Sequence, residues 1–519
     1  MSDASMTFDR ERGIDLQRLA RSPAVWLAGL LLGVTLVDLW VLGGRWAYVH
    51  GYEIEWIARG LAGGHGFSLP GDRQWLFAFE TGDPDAYFPT AWQAPLYPAW
   101  MALWLHLLGE NGQLVVMLGQ VAFVRATCGV VYLIGRRLWT PTAGLAAAAV
   151  LALSPYTHVM AVGQIGNATL AGLLVALAVW MGLWCLDRPS PWRGGAWGTL
   201  LGVTALTYAG TQLLAPAAAV VLVCGRGRGG GRAWLPALAL LVATAAVVAP
   251  WTVRNYVVFD AFVPIRTGVG QIAQMGNPVT AQTFAPDVRF TDEPAAAPPW
   301  RAGSIGEAME RVRDDRASRM ALTRHSRALV EQQAPPDYAH LNEAQRDDLY
   351  LAQAGRFAVN HPGLTVALSV RKLVGFFFDY WRLPGAVAVL ALAGVLLVRW
   401  EVRMTLVAVW IMAFALPYAV TFPYFYRYRY PIEPLLALLA GVAVVAGIRV
   451  VVAMRDRKSA PSPTPLPLPG AGGVGEGAGV GCVVSVLCSF YTSLGGRGAD
   501  TCTNEGAIHD DGRDASATV

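Results

Sequence analysis

Long apolar runs separated by short arginine clusters dominate the pattern of this chain. The first run, Ala24–Gly43, follows a polar arm, Met1–Ser22, that carries Arg10, Arg12, Arg18 and Arg21. A helix needs about 20 mostly apolar residues to cross the hydrocarbon core of a bilayer. Further runs follow at Gln113–Gly135, Ala143–Met160, Ala168–Leu186, Ala196–Tyr208, Leu213–Cys224, Trp234–Trp251, Ala386–Val398, Thr405–Thr421 and Leu435–Val452. Basic clusters fill alternate gaps: Arg136-Arg137, Arg188 with Arg193, Arg226 with Arg228 and Arg232, Arg399 with Arg403, and Arg455 with Arg457 and Lys458. Short loops rich in Lys and Arg stay on the cytoplasmic side. The pattern therefore predicts an all-α polytopic membrane protein of about ten transmembrane helices, with both termini in the cytoplasm.

The polar stretches between the runs are unequal. Gly51–Asn111 is a long outer loop, and Pro95 and Pro98 in its PTAWQAPLYP segment suit the start of a helix too short to span. That helix is expected to lie on the outer surface, as is a second juxtamembrane helix over Leu364–Tyr380. Arg254–Pro362 holds Pro/Ala-rich turns and then charged amphipathic runs from Ile305 to Val359, the pattern of a small α-rich periplasmic domain. The expected division is a cytoplasmic arm (1–22), a membrane module (23–251) containing the first outer loop (44–112), an outer-face periplasmic domain (252–365), C-terminal membrane segments (366–455), and a disordered cytoplasmic tail (456–519) rich in Pro, Gly and Ser. The expected location is a bacterial-type inner (plasma) membrane.

Composition agrees with this. Of 519 residues, 54% are hydrophobic and only 15% charged, with 19 Trp, and mean hydropathy is +0.40. Soluble domains carry about 25% charged residues. The net charge of +4 is spread over loops, so no nucleic acid is expected as a partner. Six cysteines, Cys128, Cys185, Cys224, Cys482, Cys488 and Cys502, show no metal-ligand spacing and read as small hydrophobes. A long polar arm and the lack of an A-x-A site argue against a cleavable signal peptide.

Chemistry concentrates in GYEIEWIARGLAGGHGFS, Gly51–Ser68, just beyond the first run. Glu53 and Glu55 stand where the span gives way to water on the outer face. Asp38 lies inside the first span, where acids default to function or to pairing. Several cations defy the charge rule: Arg254, Arg266, Arg371, Lys372, and Arg427 and Arg429 in FPYFYRYRYPIEP. An arginine fork suits phosphate oxygens, and a site at the membrane surface lets it meet a lipid headgroup. Singly, each could equally anchor to anionic lipid or pair with Glu433; as a set on the side of Glu53 they point to phosphate. His65, His158 and His361 read as structural or interfacial. No HxxxH or His/Asp cluster supports a metal, and a divalent ion finds little support.

The ordered series of segments resembles GT-C-fold membrane glycosyltransferases, the class that includes protein O-mannosyltransferases (glycosyltransferase family 39) and the aminoarabinose transferases of lipid A. The residues carrying the resemblance are YEIEWIARGLAGGHGFS, PTAWQAPLYP, RRLWTPTAGLAAAAVLALSPY, PWTVRNYVVFDAFVPIRTGVG with GNP, HPGLTVALSVRKLVGFFF, and RYRYPIEPLLALLAG. The resemblance implies transfer of a sugar, hexose or pentose, from a polyprenyl-phosphate sugar lipid to a lipid, glycan or protein acceptor on the outer face. An acid of the first outer loop then serves as base. Glu53 matches best and Glu55 second, with Arg254, Arg427, Arg429, Arg371 and Lys372 at the donor phosphate. Gln93, Tyr97, Gln164 and Asn167 are expected to line the substrate. The class often carries a second acid in the second outer loop, where this chain has Gln164, Gly166 and Asn167; a two-carboxylate or metal mechanism is correspondingly disfavoured.

Two other function classes compete with this one. A transporter or flippase would place charged or broken helices near the midplane and relate two halves by a repeat; neither stands out in the sequence. A non-catalytic, glycosyltransferase-like scaffold would fit if the absent second acid had removed activity.

Overall fold

The structure is a computed structural model and describes residues 22–71, 86–225, 234–285, 300–378, 384–398, 401–421 and 426–459. Each apolar run forms helix because its Ala/Leu-rich sequence has high helical propensity and must satisfy its backbone internally in an apolar medium. Among the described residues, five helices are long and apolar enough to cross a membrane as single elements: α1 (Pro23–Arg45), α4 (Asn111–Leu138), α7 (Ala168–Asp187), α10 (Trp234–Phe259) and α18 (Val402–Thr421). A sixth span, Tyr428–Val452, lies mainly on α19 (Glu433–Ser459). A seventh is bent: α5 (Pro141–Leu153) and α6 (Pro155–Val162) meet at 56°. Pro155 cannot donate and biases Ser154 to its extended backbone (φ −66°, ψ 120°), which breaks the run there.

The remaining expected spans form shorter helices: α8 (Pro191–Thr207), α9 (Leu214–Cys224) and α17 (Pro384–Leu397). Among the described residues, length and composition thus carry six or seven crossings, and the count of about ten remains an expectation. The most extensive helix pair is α8 with α10. Gly194, Gly198 and Gly202 recur every fourth residue on α8, and a Cβ at Gly194 or Gly198 would sit 2.1 Å from the carbonyl of Pro236 or Leu240. This stripe of small residues lets the two backbones touch.

The chain divides into two compact units: 30–445, and 1–29 together with 446–519. Of the latter, the described residues comprise the helical ends 22–29 and 446–459. The first two loops, the polar domain and the candidate site all lie in 30–445.

The first loop holds α2 (Glu53–Ala62), two short strands and α3 (Leu96–Leu108). The strands, β1 (Ser68–Pro70) and β2 (Tyr87–Pro89), pair antiparallel with Leu69 opposite Phe88, a feature the all-α expectation lacks. The polar domain begins with α11 (Val269–Gln274), which runs through a π-turn at Met275–Val279 into α12 (Thr280–Phe284). It continues with α13 (Ile305–Asp314), α14 (Arg316–Gln332), α15 (Glu343–Asn360) and α16 (Pro362–Phe378), around a core of Val279, Val312, Leu322, Leu329, Phe357 and Leu368. Asn342 and Gln345 form a reciprocal capping box that starts α15.

Asp38, the acid within the first span, is 1% exposed and pairs with Arg125 of α4. His158 of the bent span completes the cluster, its Nδ1 2.6 Å from Asp38 Oδ1. A buried charge left alone here would cost several kcal/mol. The three together lock α1, α4 and α6.

Candidate functional site

The turn into α2 separates its two acids. Tyr52 takes φ +48°, a left-handed value that costs a non-glycine residue energy. It leaves Glu53 and Glu55 in the first helical turn, where the helix dipole favours carboxylates. Glu55 is buried at 5% exposure and fully employed. It accepts the Gly51 N–H at 2.9 Å and Arg59 Nε at 3.0 Å, with His50 Nδ1 at 3.6 Å. Arg59 in turn grips both oxygens of Glu110 at 2.7 Å. Glu53 is half-buried and has no hydrogen-bond or ion-pair partner among the described residues.

The second loop, between α6 and α7, meets the first here. A Cβ on Gly51 would lie 3.0 Å from the Ile165 side chain. Gln120 of α4 fixes this junction with its whole amide. Its Oε1 accepts Tyr97 Oη at 2.6 Å and the Gly166 N–H at 2.8 Å; its Nε2 donates to the carbonyls of Ala161 and Gln164 at 3.0 and 2.9 Å. Two turns earlier on α4, Gln113 donates to the carbonyls of Trp46 and Val49. Tyr97 and Gln164 are therefore brought together, through a glutamine that is not among the residues expected at the site. Gln164 Nε2 also lies 2.8 Å from Met160 Sδ. Asn167 points elsewhere, donating to Thr207 O at 2.9 Å. Gln93 is half-buried with no hydrogen-bond partner among the described residues.

A clamp holds the end of the first loop from two sides. From α10, Arg254 donates to the carbonyls of Thr90 and Phe67 at 2.8 and 3.0 Å and stacks 4.8 Å from the Trp251 ring. From α15, buried Glu343 accepts Thr90 Oγ1 at 2.7 Å, the Ala91 N–H at 3.0 Å and Thr267 Oγ1. Burial pushes the Glu343 carboxyl above its ordinary range, against the pull of those three donors. Asp347, one turn on, accepts the N–H groups of Gly268 and Gln271 at 2.9 and 3.0 Å, and burial raises it too. Thr267 N–H reaches Ala91 O at 3.0 Å, so the chain after α10 runs beside the first loop. Gly268 has φ +84°, and a Cβ there would fall 1.9 Å from the Trp92 ring, so only glycine fits.

The cations expected at a phosphate are mostly engaged by protein. Arg254 holds the two carbonyls of the clamp. Arg429 is 3% exposed, forks onto Glu433 at 3.0 and 3.2 Å and donates to Phe377 O at 2.7 Å. Lys372 is 2% exposed and donates to Asn277 Oδ1 at 2.8 Å and to the carbonyls of Val420 and Gly276 at 3.2 and 3.3 Å. With no carboxylate among these partners, burial pushes its amine down to about 7. Each of these three spends donors on neighbours far away in the chain, which spacing alone does not reveal. Arg371 is half-buried on α16. The Arg427 side chain lies outside the described residues. Arg266 differs: Nε donates to Thr267 O at 3.0 Å and the guanidinium stacks 5.1 Å from the Trp92 ring. Its two terminal nitrogens have no hydrogen-bond partner among the described residues.

Sequence reasoning missed Gln113, Gln120, Arg125, Glu343 and Asp347. The first three are visible as polar residues inside an apolar run, with the two glutamines seven apart on one helical face. Glu343 leaves no comparable trace, because its hydroxyl partners are 76 and 253 residues away. Among the described residues, no group of three or more His, Cys, Asp or Glu could hold a metal ion.

Residues 93–253 match the model of a family described as dolichyl-phosphate-mannose-protein mannosyltransferase. A comparison with curated proteins found no match. Among solved structures, the chain is similar to the archaeal oligosaccharyltransferase AglB from Archaeoglobus fulgidus, in complex with an inhibitory peptide and a dolichol-phosphate. Identity there is 12%, covering 90% of this chain and 54% of that one, at a TM-score of 0.49. It is also similar to ArnT from Cupriavidus metallidurans bound to undecaprenyl phosphate, with 15% identity over 84% of this chain and 80% of that one, at a TM-score of 0.33. The chain thus spans about half the length of the AglB structure. The family match agrees with the motif series: the chain resembles GT-C-fold membrane glycosyltransferases.

Proposed function

We propose that this chain is a membrane glycosyltransferase that moves a sugar from a polyprenyl-phosphate donor to an acceptor on the outer, periplasmic face. Glu53 is its general base. The observation carrying this reading is the contrast between two neighbouring acids. Glu55 is consumed by Gly51, Arg59 and His50, while Glu53 is held in the same helical turn without a partner among the described residues, where the first loop meets the second. A carboxylate kept unpaired next to a membrane module is available to take a proton.

The step is a single displacement. An acceptor hydroxyl or amine gives its proton to Glu53 as its lone pair attacks the anomeric carbon. The bond from that carbon to the phosphate oxygen breaks, and polyprenyl phosphate leaves with the electron pair. That leaving group is already a stable anion, so it needs cations around it and no second acid. The glutamine and asparagine of the second loop are compatible with this one-carboxylate scheme. The family matched over 93–253 motivates a lipid-phosphate-linked sugar donor. Tyr97 and the Gln164 carbonyl meet at Gln120, beside the junction of the two loops at which acceptor and donor would come together.

Transfer from radiolabelled polyprenyl-phosphate sugar in membranes tests the reading. Glu53→Gln is expected to lose about 10²-fold or more in rate with its melting temperature unchanged. Transfer by Glu53→Gln at the wild-type rate would take Glu53 out of the mechanism, and no transfer by wild type would remove the activity.

A further inference from the structure

We propose that Tyr48, His50 and Tyr52 form an exposed strip of rings on which an acceptor glycan stacks, bringing one of its sugar hydroxyls to Glu53. This rests on the transferase reading and names the chemical class of its acceptor. Exposure alternates along the segment that leads into α2: Tyr48, His50 and Tyr52 are exposed, and Val49 and Gly51 between them are buried. Val49 has extended backbone (φ −95°, ψ 123°), in which successive side chains turn to opposite sides. The three rings therefore share the outer edge. Tyr48 is 77% and Tyr52 43% exposed, and neither hydroxyl has a hydrogen-bond partner among the described residues.

The strip is pinned from its inner side. Val49 O accepts Gln113 Nε2, and the Gly51 N–H donates to Glu55 Oε2 at 2.9 Å. Gly51 also packs against the second loop, where a Cβ would lie 3.0 Å from the Ile165 side chain. His50 keeps its side chain 64% exposed while Nδ1 lies 3.6 Å from Glu55 Oε2, which fixes one edge of the imidazole. Tyr52 is strained: φ +48° with ψ −126° is a combination glycine adopts freely and tyrosine only at a cost. The turn alone would be better served by glycine, yet a ring is kept there, directly before Glu53. An exposed aromatic face packs on the C–H face of a sugar, and the phenol hydroxyl or imidazole edge meets the sugar's own hydroxyls. A membrane-interface belt also collects tyrosines, but it needs no fixed aim and no strained backbone.

The test is binding without turnover. Wild-type protein in nanodiscs, with no lipid-linked sugar present, is expected to bind members of an array of short neutral oligosaccharides in preference to an array of short peptides. Tyr48→Ala and Tyr52→Gly should each weaken that binding about tenfold. Tyr52→Gly should do so while melting above wild type, because glycine relieves the positive φ. Tyr48→Phe and Tyr52→Phe should keep most of the affinity, since stacking uses the ring face. Tyr256→Ala, which removes a tyrosine 55% exposed on α10, serves as control and should bind as wild type does. Hydroxyl-radical footprinting of the nanodiscs separates the strip from a lipid belt: Tyr48 and Tyr52 should be oxidised without sugar and protected by a bound oligosaccharide. Rings left unoxidised in both states lie in lipid and overturn the proposal. So do peptides bound in place of oligosaccharides, undiminished binding in folded Tyr48→Ala and Tyr52→Gly, or an equal loss in Tyr256→Ala. Wild type that binds oligosaccharide through these rings but transfers no sugar would defeat the transferase reading alone.

Discussion

At the scale of single residues, the chemistry of this chain turns on which charges are already spent. Glu53 and Glu55 are alike in sequence and two positions apart, yet one is unpaired among the described residues and the other is a structural carboxylate. Glu55→Gln keeps one acceptor oxygen and turns an amide NH2 toward the other donor, so one of the two bonds, to the Gly51 N–H or to Arg59, is lost at about 1–3 kcal/mol. Glu55→Gln should therefore melt several degrees lower in detergent while the folded fraction keeps its transfer rate, the opposite signature to Glu53→Gln. Identical behaviour of the two variants would erase the distinction. The pair is visible in the sequence, and the family resemblance places Glu53 first. How Arg254, Arg429 and Lys372 are used is not, because a carbonyl acceptor leaves no mark in a sequence and those of Arg254 and Lys372 sit 164 and 96 residues away.

At the scale of elements, α4 carries the organisation. Gln113 holds the start of the first loop, Gln120 ties Tyr97 to the second loop, and Arg125 binds Asp38 of α1. Gln120→Leu would strand Tyr97 Oη, the Gly166 N–H and two carbonyls at once. A stability loss of about 2–4 kcal/mol is expected, against about 1 kcal/mol for Tyr97→Phe, which removes one bond. Denaturant titration of the two variants measures this, and equal losses would remove Gln120 as the hub. The helices themselves are legible from hydropathy in order and nearly in their limits. The β1–β2 pair is not, since three-residue strands are too short to show alternation. Hydropathy alone also makes the bent span straight, because the missing N–H of Pro155 carries no weight in a long apolar run.

At the scale of the whole molecule, the polar domain reaches the membrane module through Glu343. Burial raises this carboxyl, so its folded form binds a proton more tightly than its unfolded form does. Its contribution is full below the ordinary value of 4.5 and is lost as pH rises through the raised folded value. Asp347 is shifted in the same direction. Melting temperature is therefore expected to fall as pH climbs from about 4 to 8, with a shallower slope in Glu343→Gln. Parallel curves for the two proteins would mean that Glu343 is not the titrating link. The resemblance to GT-C glycosyltransferases is legible across the chain from six short segments. The contacts that join those segments are not, because each is made between residues that are ordinary in their own local sequence.

The two-sided grip on Thr90 and Ala91 has a consequence for how this protein can be recombined. A domain is exchangeable between relatives only where its seam carries few obligatory partners. Here the seam is threaded by Glu343, Thr267 and the first loop, three pieces drawn from separate stretches of sequence. A chimera that swaps 252–365 alone would inherit a carboxylate and one of its hydroxyls without the loop that completes the grip. Acceptor preference, if it resides in that domain, is then inherited as a set with residues 90–91 and evolves in step with the first loop.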